Sequence, residues 1–192
     1  AFAIEGLSRQ KAVDPCPVRL ENGKVRLYYY GCAENPDGPG GHAIFSAISD
    51  DGIRFREEKA VFTREGLVDP DVFWTGKEWI MHVFSLTEHG TVVARSSDGL
   101  DFRHVGLLEP ARIGVTAPLR LSDGTFRMYG FDQGRQQNFV SLRSKDGLKW
   151  TKEEGVRLTA PEGKEITDPF VVRLADGTWK MFYKLSKRMR RP

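Results

Sequence analysis

The sequence predicts an all-β protein, a β-propeller of four-stranded antiparallel blades with about four blade units in this chain. Three similar segments support this prediction. They read S-D-D-G-I-R-F, S-S-D-G-L-D-F and S-K-D-G-L-K-W, and they begin at Ser49, Ser96 and Ser144. Their glycines are 47 and 48 residues apart (99 − 52 and 147 − 99), and a fixed period of this size indicates a repeat architecture. Asp-Gly between two β-rich runs predicts a hairpin turn in each copy.

A second motif alternates with the first and supplies the other strands of each unit. Asp-Pro precedes a short strand, a glycine-containing turn and an aromatic-rich strand at Asp14, Asp69 and Asp168. In the third unit the segment beginning at Thr116, T-A-P, aligns with this motif without an acid. The two motifs together predict four antiparallel strands per unit, and helical periodicity is absent.

The repeat divides the chain into units near residues 13–62, 68–108, 115–159 and 167–185, which we expect to form a single domain spanning 1–192. The fourth unit supplies only its first two strands. A short strand within residues 1–5 is a candidate for the last strand of that blade. The chain therefore represents either a compact four-unit ring or part of a larger, five-bladed one.

The charge distribution argues against nucleic acid as a partner. The formal net charge is +3, but four basic residues lie within the last six, so the rest of the chain carries 3 − 4 = −1. A nucleic-acid footprint needs clustered positive charge on the folded surface. No apolar run reaches the roughly 20 residues needed to span a bilayer, so we expect no membrane partner. The compartment stays open, with a secreted or periplasmic location among the alternatives.

The two cysteines flank a predicted hairpin with an Asn22-Gly23 turn. If the two turn residues alone form the loop, Cys16 pairs with Tyr29, and Cys32 lies on the opposite face of the sheet. We therefore expect two free buried thiols and infer no redox compartment from them.

Alternating strand direction separates the tight turns from the reactive groups. The first turn of each unit and its S-x-D-G turn share one face, where we expect the turn aspartates to be structural. The opposite face receives Asp14, Asp69 and Asp168 at the starts of the innermost strands, together with the longer loops. Polar residues in those loops include Glu34, Asp37, His42, Glu88, His89, Asp132, Gln133, Arg135 and Asn138.

We expect the three Asp-Pro carboxylates to converge on the mouth of the central channel. Neighbouring carboxylates repel, which raises the pKa of at least one and separates a proton donor from a base. The alternative is that Asp-Pro only begins the strand and binds nearby backbone N–H groups. Repetition of the motif in several units favours this second interpretation, above all for Asp168.

The motifs V-D-P-C-P-V-R-L-E-N-G-K-V-R-L-Y-Y-Y and L-V-D-P-D-V-F-W-T-G-K-E-W-I-M-H-V-F resemble those of the five-bladed propeller glycoside hydrolases. The likeness is to arabinanases and β-xylosidases, and more distantly to invertases and levansucrases. It implies that Asp14 is the base or nucleophile. It also implies that Asp69 or Asp71 tunes the pKa of the general acid. That acid is a Glu just before a Pro in the third blade, where this sequence has Thr116.

Glycoside hydrolysis needs a proton donor as well as a base. Either another acid on the same face replaces the missing one, or the chain binds a glycan without cleaving it, or it is an inactive fragment. The candidate acids are Glu34, Glu88, Glu109 and Glu165, of which Glu88 and Glu165 are the leading ones. The candidate binding residues are His42, His89, Arg135, Thr116, Trp74 and Asp168.

Most aromatic side chains lie in predicted strands, and we expect them to form the core between blades. The histidines have no metal-ligand spacing, so no metal or other cofactor is expected, although the resemblance leaves calcium open. The expected partner is a carbohydrate. A second copy of the chain, completing the ring, is a further candidate.

Overall fold

The computed structural model describes residues 3–9, 11–32, 42–133 and 135–188, which form sixteen β-strands and no helix. The chain divides into two compact units, Ala1–Gly106 and Leu107–Pro192. Antiparallel sheets that follow one another along the chain confirm the predicted fold class, a β-propeller built from blades. No helix among the described residues is long and apolar enough to cross a membrane.

The first unit contains two sheets. The first has the order β1-β5-β4-β3-β2, and the second has the order β6-β7-β8-β9. The strands of the first sheet are β1 (Ala3–Glu5), β2 (Lys11–Arg19), β3 (Val25–Cys32), β4 (Ala43–Ser49) and β5 (Arg54–Thr63). Those of the second are β6 (Leu67–Trp74), β7 (Trp79–Ser85), β8 (Gly90–Ser96) and β9 (Arg103–Leu107).

The N-terminal strand β1 does not serve the fourth unit, as the sequence suggested it would. It pairs in parallel with β5, with Ala3 opposite Arg54 and Glu5 opposite Arg56. The interpretation as a separate last strand is therefore wrong. The open edge of β5 accepts β1 because an edge strand has unpaired backbone groups.

The second unit also contains two sheets. The third sheet joins β10 (Ile113–Arg120), β11 (Phe126–Asp132) and β12 (Arg135–Ser144), and β12 also pairs with the short β13 (Thr151–Lys152) and β14 (Leu158–Thr159). The fourth sheet is an antiparallel pair, β15 (Lys164–Arg173) and β16 (Trp179–Lys187). The strands of the four sheets span residues 3–63, 67–107, 113–159 and 164–187.

The S-x-D-G turns are held by their own side chains, as expected. In the first copy the Ser49 hydroxyl accepts hydrogen bonds from the backbone N–H groups of Asp51 and Gly52. The Asp51 carboxylate accepts two more, from Ile53 and Arg54, at 2.8 Å each. These bonds lower the pKa of Asp51 to about 2. The Ser96 and Ser144 copies repeat this arrangement.

The first hairpin has a longer loop than predicted, and this changes its register. Leu20 N–H donates to the carbonyl of Lys24, so five residues separate the paired Arg19 and Val25. Cys16 therefore pairs with Tyr28, and the predicted pairing with Tyr29 is wrong. Cys16 is a free, buried thiol, as expected. The side chain of Cys32 lies outside the described residues.

The core follows strand alternation in β3. Tyr28 and Tyr30 pack towards the second sheet, beside Leu67, Val72 and Met81. Tyr29 lies on the other face of its sheet and stacks on Phe45, with ring centroids 6.0 Å apart. The expectation of a buried core therefore holds for these three tyrosines.

The aromatic side chains of β16 are not buried. Trp179 and Phe182 are 46% and 54% exposed, so their assignment to the core is wrong. These side chains stay exposed because, among the described residues, β16 pairs with β15 alone and its sheet has no third strand.

Candidate active site at the inner-strand bulges

Each innermost strand has a β-bulge near its start. The register shifts lie between Val13 and Cys16 in β2, between Val68 and Pro70 in β6, and between Thr167 and Phe170 in β15. The aspartate of each Asp-Pro pair lies within the bulge and adopts a positive φ, namely 54° at Asp14, 52° at Asp69 and 54° at Asp168. A bulge redirects a side chain, and the left-handed region is costly for most residues but tolerated by aspartate.

The bulge of the third unit corrects the alignment made from sequence. Its register shift lies between Gly114 and Thr116, and the residue with positive φ is Val115, at 25°. Val115 therefore corresponds to the Asp-Pro acids, and the alignment of Ala117 with them is wrong. A signal was present in the sequence: Val115 precedes Gly124 by nine residues, as Asp14 precedes Gly23 and Asp168 precedes Gly177.

In the first unit the inner strands β2 and β6 pack beside each other. Sγ of Cys16 lies 3.6 Å from Oδ1 of Asp71. It also accepts a hydrogen bond from Val72 N–H at 3.2 Å. Cys16 follows Asp14 by two residues, and Asp71 follows Asp69 by two. The contact therefore aligns equivalent positions, so both bulge aspartates lie at the same end of adjacent strands.

Asp71 is a desolvated carboxyl group. A part of its residue surface reaches solvent, but the surrounding protein raises its pKa from 3.8 to about 8, chiefly through desolvation. The hydrogen bonds from Cys16 and Val72 oppose this shift without cancelling it. Desolvation, with a smaller contribution from the Asp71 charge, raises the pKa of the Cys16 thiol well above 9.0. Both groups are therefore neutral near pH 7.

His82 lies directly opposite Asp71 in the β6–β7 register. It is 1% exposed, and its ring meets the edge of Phe73 with centroids 5.3 Å apart. Desolvation lowers the pKa of His82 to about 3. His82 is therefore a neutral side chain within the core near pH 7.

Three polar candidates follow β7 or precede β4 in the first unit. Glu88 forms an ion pair with Arg64, with an Nη2–Oε1 distance of 2.8 Å. His89 is exposed, with a φ of 50°. His42 is part-buried. Its Nδ1 lies 3.3 Å from the carbonyl oxygen of Leu67, which begins the strand that carries Asp69 and Asp71, so this contact links His42 to β6.

Trp74 lies away from the bulge aspartates. It ends β6, five residues beyond Asp69, which corresponds to roughly 16 Å along an extended strand. There it pairs with Trp79 beside the hairpin turn. The structure therefore does not bring Trp74 to the Asp69 end of the strand.

The remaining candidates belong to the second unit. Thr116 is buried, at 3% exposure. The side chain of Asp168 is 40% exposed, and its Oδ2 lies 3.6 Å from Nζ of Lys184. Glu165 accepts a hydrogen bond from the Ser186 hydroxyl at 3.2 Å. Asp168 and Glu165 share strand β15, which packs beside the strand of Thr116, β10.

Several candidates lie outside the described residues. These are Glu34, Asp37 and the side chain of Arg135. Within the described part of the chain, no group of three or more His, Cys, Asp or Glu side chains is arranged to hold a metal ion.

Sequence reasoning missed two residues of this region, Cys16 and Val115. The signal for Cys16 was its position, two residues after the bulge aspartate and thus equivalent to Asp71. No motif predicts that the two side chains meet, since the contact depends on how neighbouring blades pack.

No protein-family model matches the sequence, and no curated protein matches it either. Several solved structures, in contrast, match this chain. An exo-β-1,3-galactanase of Phanerochaete chrysosporium superposes with a TM-score of 0.72 at 15% identity, covering 98% of this chain and 46% of that chain. A family 117 glycoside hydrolase of Zobellia galactanivorans has a TM-score of 0.64 at 14% identity, covering 95% of this chain and 69% of that chain.

A third structure comes from work on family GH130 mannoside phosphorylases, which contains glycoside hydrolases that target β-1,2-mannosidic linkages in Candida mannan. It has a TM-score of 0.67 at 18% identity and covers 90% of this chain and 59% of that chain. The fold is that of the propeller glycoside hydrolases. The chain spans about half to two thirds of the length of these structures.

Proposed function

We propose that this propeller is carbohydrate-active and that it hydrolyses a glycosidic bond at the bulged ends of its inner strands. The observation that carries the proposal is the shared conformation of Asp14 and Asp69, each within a β-bulge and each with a positive φ. Uncommon backbone conformations held by the surrounding structure are concentrated at functional sites. Two carboxylates at the same end of adjacent strands suit the chemistry of glycoside hydrolysis.

In this proposal Asp14 activates the water that attacks the anomeric carbon. Asp71 stays protonated near pH 7 because its pKa is about 8, so it adds no negative charge beside the two bulge aspartates. A neutral carboxyl group can also donate a hydrogen bond. Asp69 and Asp71 together then set the protonation of the general acid.

The general acid has two leading candidates. Glu88 is held by Arg64, and Glu165 is held by Ser186. Glu88 belongs to the same compact unit as Asp14, which favours it. Replacement of Glu88 by Gln keeps the shape of the side chain and removes its proton, and therefore tests this role directly.

The first test is the Asp14→Asn variant, assayed on chromogenic arabinosides, xylosides, fructosides, mannosides and galactosides. Loss of a general base lowers the rate by about 10²- to 10⁴-fold. Asp176→Asn is the matched control, because Asp176 is exposed and only accepts turn hydrogen bonds from Thr178. Equal rates for Asp14→Asn and the wild-type protein would remove Asp14 from the mechanism.

A second candidate function is glycan binding without cleavage, which the third unit favours. Its bulge residue is Val115, and Thr116 is buried where the family pattern has the acid. Neither side chain can protonate a leaving group at neutral pH. Calorimetric binding of a glycan without product release would support this alternative, and hydrolysis of any substrate in the panel would exclude it.

A further inference from the structure

A cleft of about 370 Å³ lies on the tight-turn side of the first unit, at the opposite end of β6 from Asp69. It is lined by Trp74, Trp79, Arg19, Leu20, Glu21 and Asn22. The two indole rings have centroids 5.2 Å apart and planes inclined at 50°. Leu20, Glu21 and Asn22 belong to the first hairpin loop, so the cleft lies between the first and second hairpins.

Comparison of the four hairpins indicates that closing a hairpin of this kind does not require a tryptophan at the position of Trp74. The last paired residue of the inner strand is Arg19, Arg120 or Arg173 in the other three hairpins, and it is Trp74 only in the second. The arginine hairpins close in the same antiparallel way, so this fold does not require a tryptophan at the position. The loop of the second hairpin is also shorter, with four residues between Trp74 and Trp79 where the others have five.

The chemistry of the cleft fits a sugar ring. Indole faces supply flat apolar surface for the C–H side of a sugar, and aromatic residues that combine apolar area with a polar N–H are common in binding sites. Arg19 and Glu21 supply a donor and an acceptor for hydroxyl groups. The volume lies near the lower end of the usual range for small-molecule pockets, where a few polar groups set orientation within an apolar lining.

We propose that this cleft is a second carbohydrate site, which binds one or two neutral sugar units of a glycan apart from the bulge aspartates. The class of ligand rests on the proposed function. The position of the cleft is independent of the proposed function, because about 16 Å of strand separates Trp74 from Asp69. Binding at the cleft therefore stays intact when the Asp14 carboxylate is removed, and hydrolysis of a single-sugar chromogenic substrate stays intact when Trp74 is replaced.

The deciding variant is Trp74→Arg, since arginine occupies the equivalent position of the other three hairpins. The matched control is Trp179→Ala. Trp179 corresponds to Trp79, is 46% exposed and lies over Arg173 at 6.0 Å, but it does not line this cleft. Thermal unfolding of each variant verifies that it folds.

The experiment is titration calorimetry with neutral arabino-, xylo-, manno- and galacto-oligosaccharides on the wild-type protein, Trp74→Arg, Trp179→Ala and Asp14→Asn. We expect Trp74→Arg to weaken the binding of at least one oligosaccharide roughly tenfold, with Trp179→Ala and Asp14→Asn unchanged for that ligand. Binding that depends on Asp14 but not on Trp74 overturns the second site and leaves the proposed function standing. Absence of binding to every oligosaccharide by the wild-type protein overturns the second site, while the chromogenic assay of the wild-type protein decides the proposed function separately.

Discussion

Sγ of Cys16 lies 3.6 Å from Oδ1 of Asp71, across two adjacent inner strands, and each of these side chains follows a bulge aspartate by two residues. The contact lies beside a cluster of buried apolar side chains that includes Cys16 and Val72. A carboxyl group in such surroundings favours its neutral form. The same contact therefore links the packing of the two blades to the charge of the candidate site.

Replacement of Asp71 by asparagine should change how stability depends on pH. Unfolded Asp71 ionises near 3.8, whereas the folded group ionises near 8. Between these values the unfolded state binds fewer protons, so Asp71 lowers the free energy of unfolding as pH rises from about 4 to 8. The Asp71→Asn variant has no such slope, because an amide does not titrate. Between pH 4 and pH 8 we expect the stability of Asp71→Asn, relative to that of the wild-type protein, to rise by on the order of 5 kcal/mol.

Urea unfolding measured at half-unit intervals from pH 4 to 9 checks this prediction. Asp50→Asn is the control, because Asp50 is 84% exposed and pairs with Lys24 at the surface. A constant difference between Asp71→Asn and the wild-type protein across this range would show that Asp71 is ionised throughout, contrary to the assigned desolvation.

His82 should act in the opposite direction. Its folded pKa of about 3 lies below its ordinary value of 6.5, so it contributes stability above pH 6.5 that is lost as pH falls towards 3. Between pH 4 and 6.5 the contributions of Asp71 and His82 to the pH dependence of stability oppose each other and largely cancel. We expect His82→Gln to expose the Asp71 slope, so that its stability falls steadily from pH 4 to 8.

The same unfolding series tests the His82 prediction. The wild-type protein should have a plateau between pH 5 and 6.5, where turn carboxylates such as Asp51 are ionised in both the folded and unfolded states, and His82→Gln should lack it. The double variant Asp71→Asn/His82→Gln should recover a flat profile there, since both titrations are removed. A plateau that persists in His82→Gln would refute the assigned cancellation.

The repeats and turns could be predicted from the sequence because their chemistry is local. The S-x-D-G segments determine their own hydrogen bonds, as the bonds from Ser49 and Asp51 illustrate. Their spacing was therefore enough to predict the blades. The bulges were harder to predict, because the position of an inserted residue depends on pairing with the next strand. Val115 was missed for this reason.

Features that depend on contacts between distant segments could not be predicted. The first hairpin closes with five residues where a two-residue turn was expected, which shifted the register of Cys16 by one residue. The pairing of β1 with β5 and the cleft at Trp74 arise from elements distant along the chain. The Asp-Pro motif predicted the acids but not their common backbone conformation.

The positive φ of Asp14 predicts an unusual preference for glycine over alanine. An L-residue in the left-handed region carries a penalty of about 1–2 kcal/mol that glycine avoids. We expect Asp14→Gly to be more stable than Asp14→Ala by about 1 kcal/mol, while both lose the carboxylate and hence the proposed hydrolysis. The same pair of substitutions at Asp50, which lacks a positive φ, should show no preference or favour alanine.

Thermal unfolding and chromogenic assays of the four variants provide the readout. Equal stability of Asp14→Gly and Asp14→Ala would mean that the bulge relaxes when the carboxylate is lost. Full activity in Asp14→Gly would show that hydrolysis does not need the Asp14 carboxylate, and it would refute the role proposed for Asp14.

Gly114 should tolerate no side chain, because a Cβ atom there would overlap the ring of Phe131. Phe131 is buried, and it belongs to a cluster with Phe139 and Ile166, so its ring cannot move aside without disturbing that packing. Overpacking of this kind costs about 1–3 kcal/mol. Gly106→Ala is the control, since nothing lies within 4 Å of a Cβ atom built at that strand position.

Chemical denaturation of the two alanine variants compares the costs directly. We expect Gly114→Ala to lower the unfolding free energy by about 1–3 kcal/mol and Gly106→Ala to change it by less than about 0.5 kcal/mol. Gly114 lies one residue before the bulge at Val115, so a displaced Phe131 would also disturb the start of β10. Equal stabilities for the two variants would show that Phe131 moves freely, and the close packing assigned to the third bulge would then be wrong.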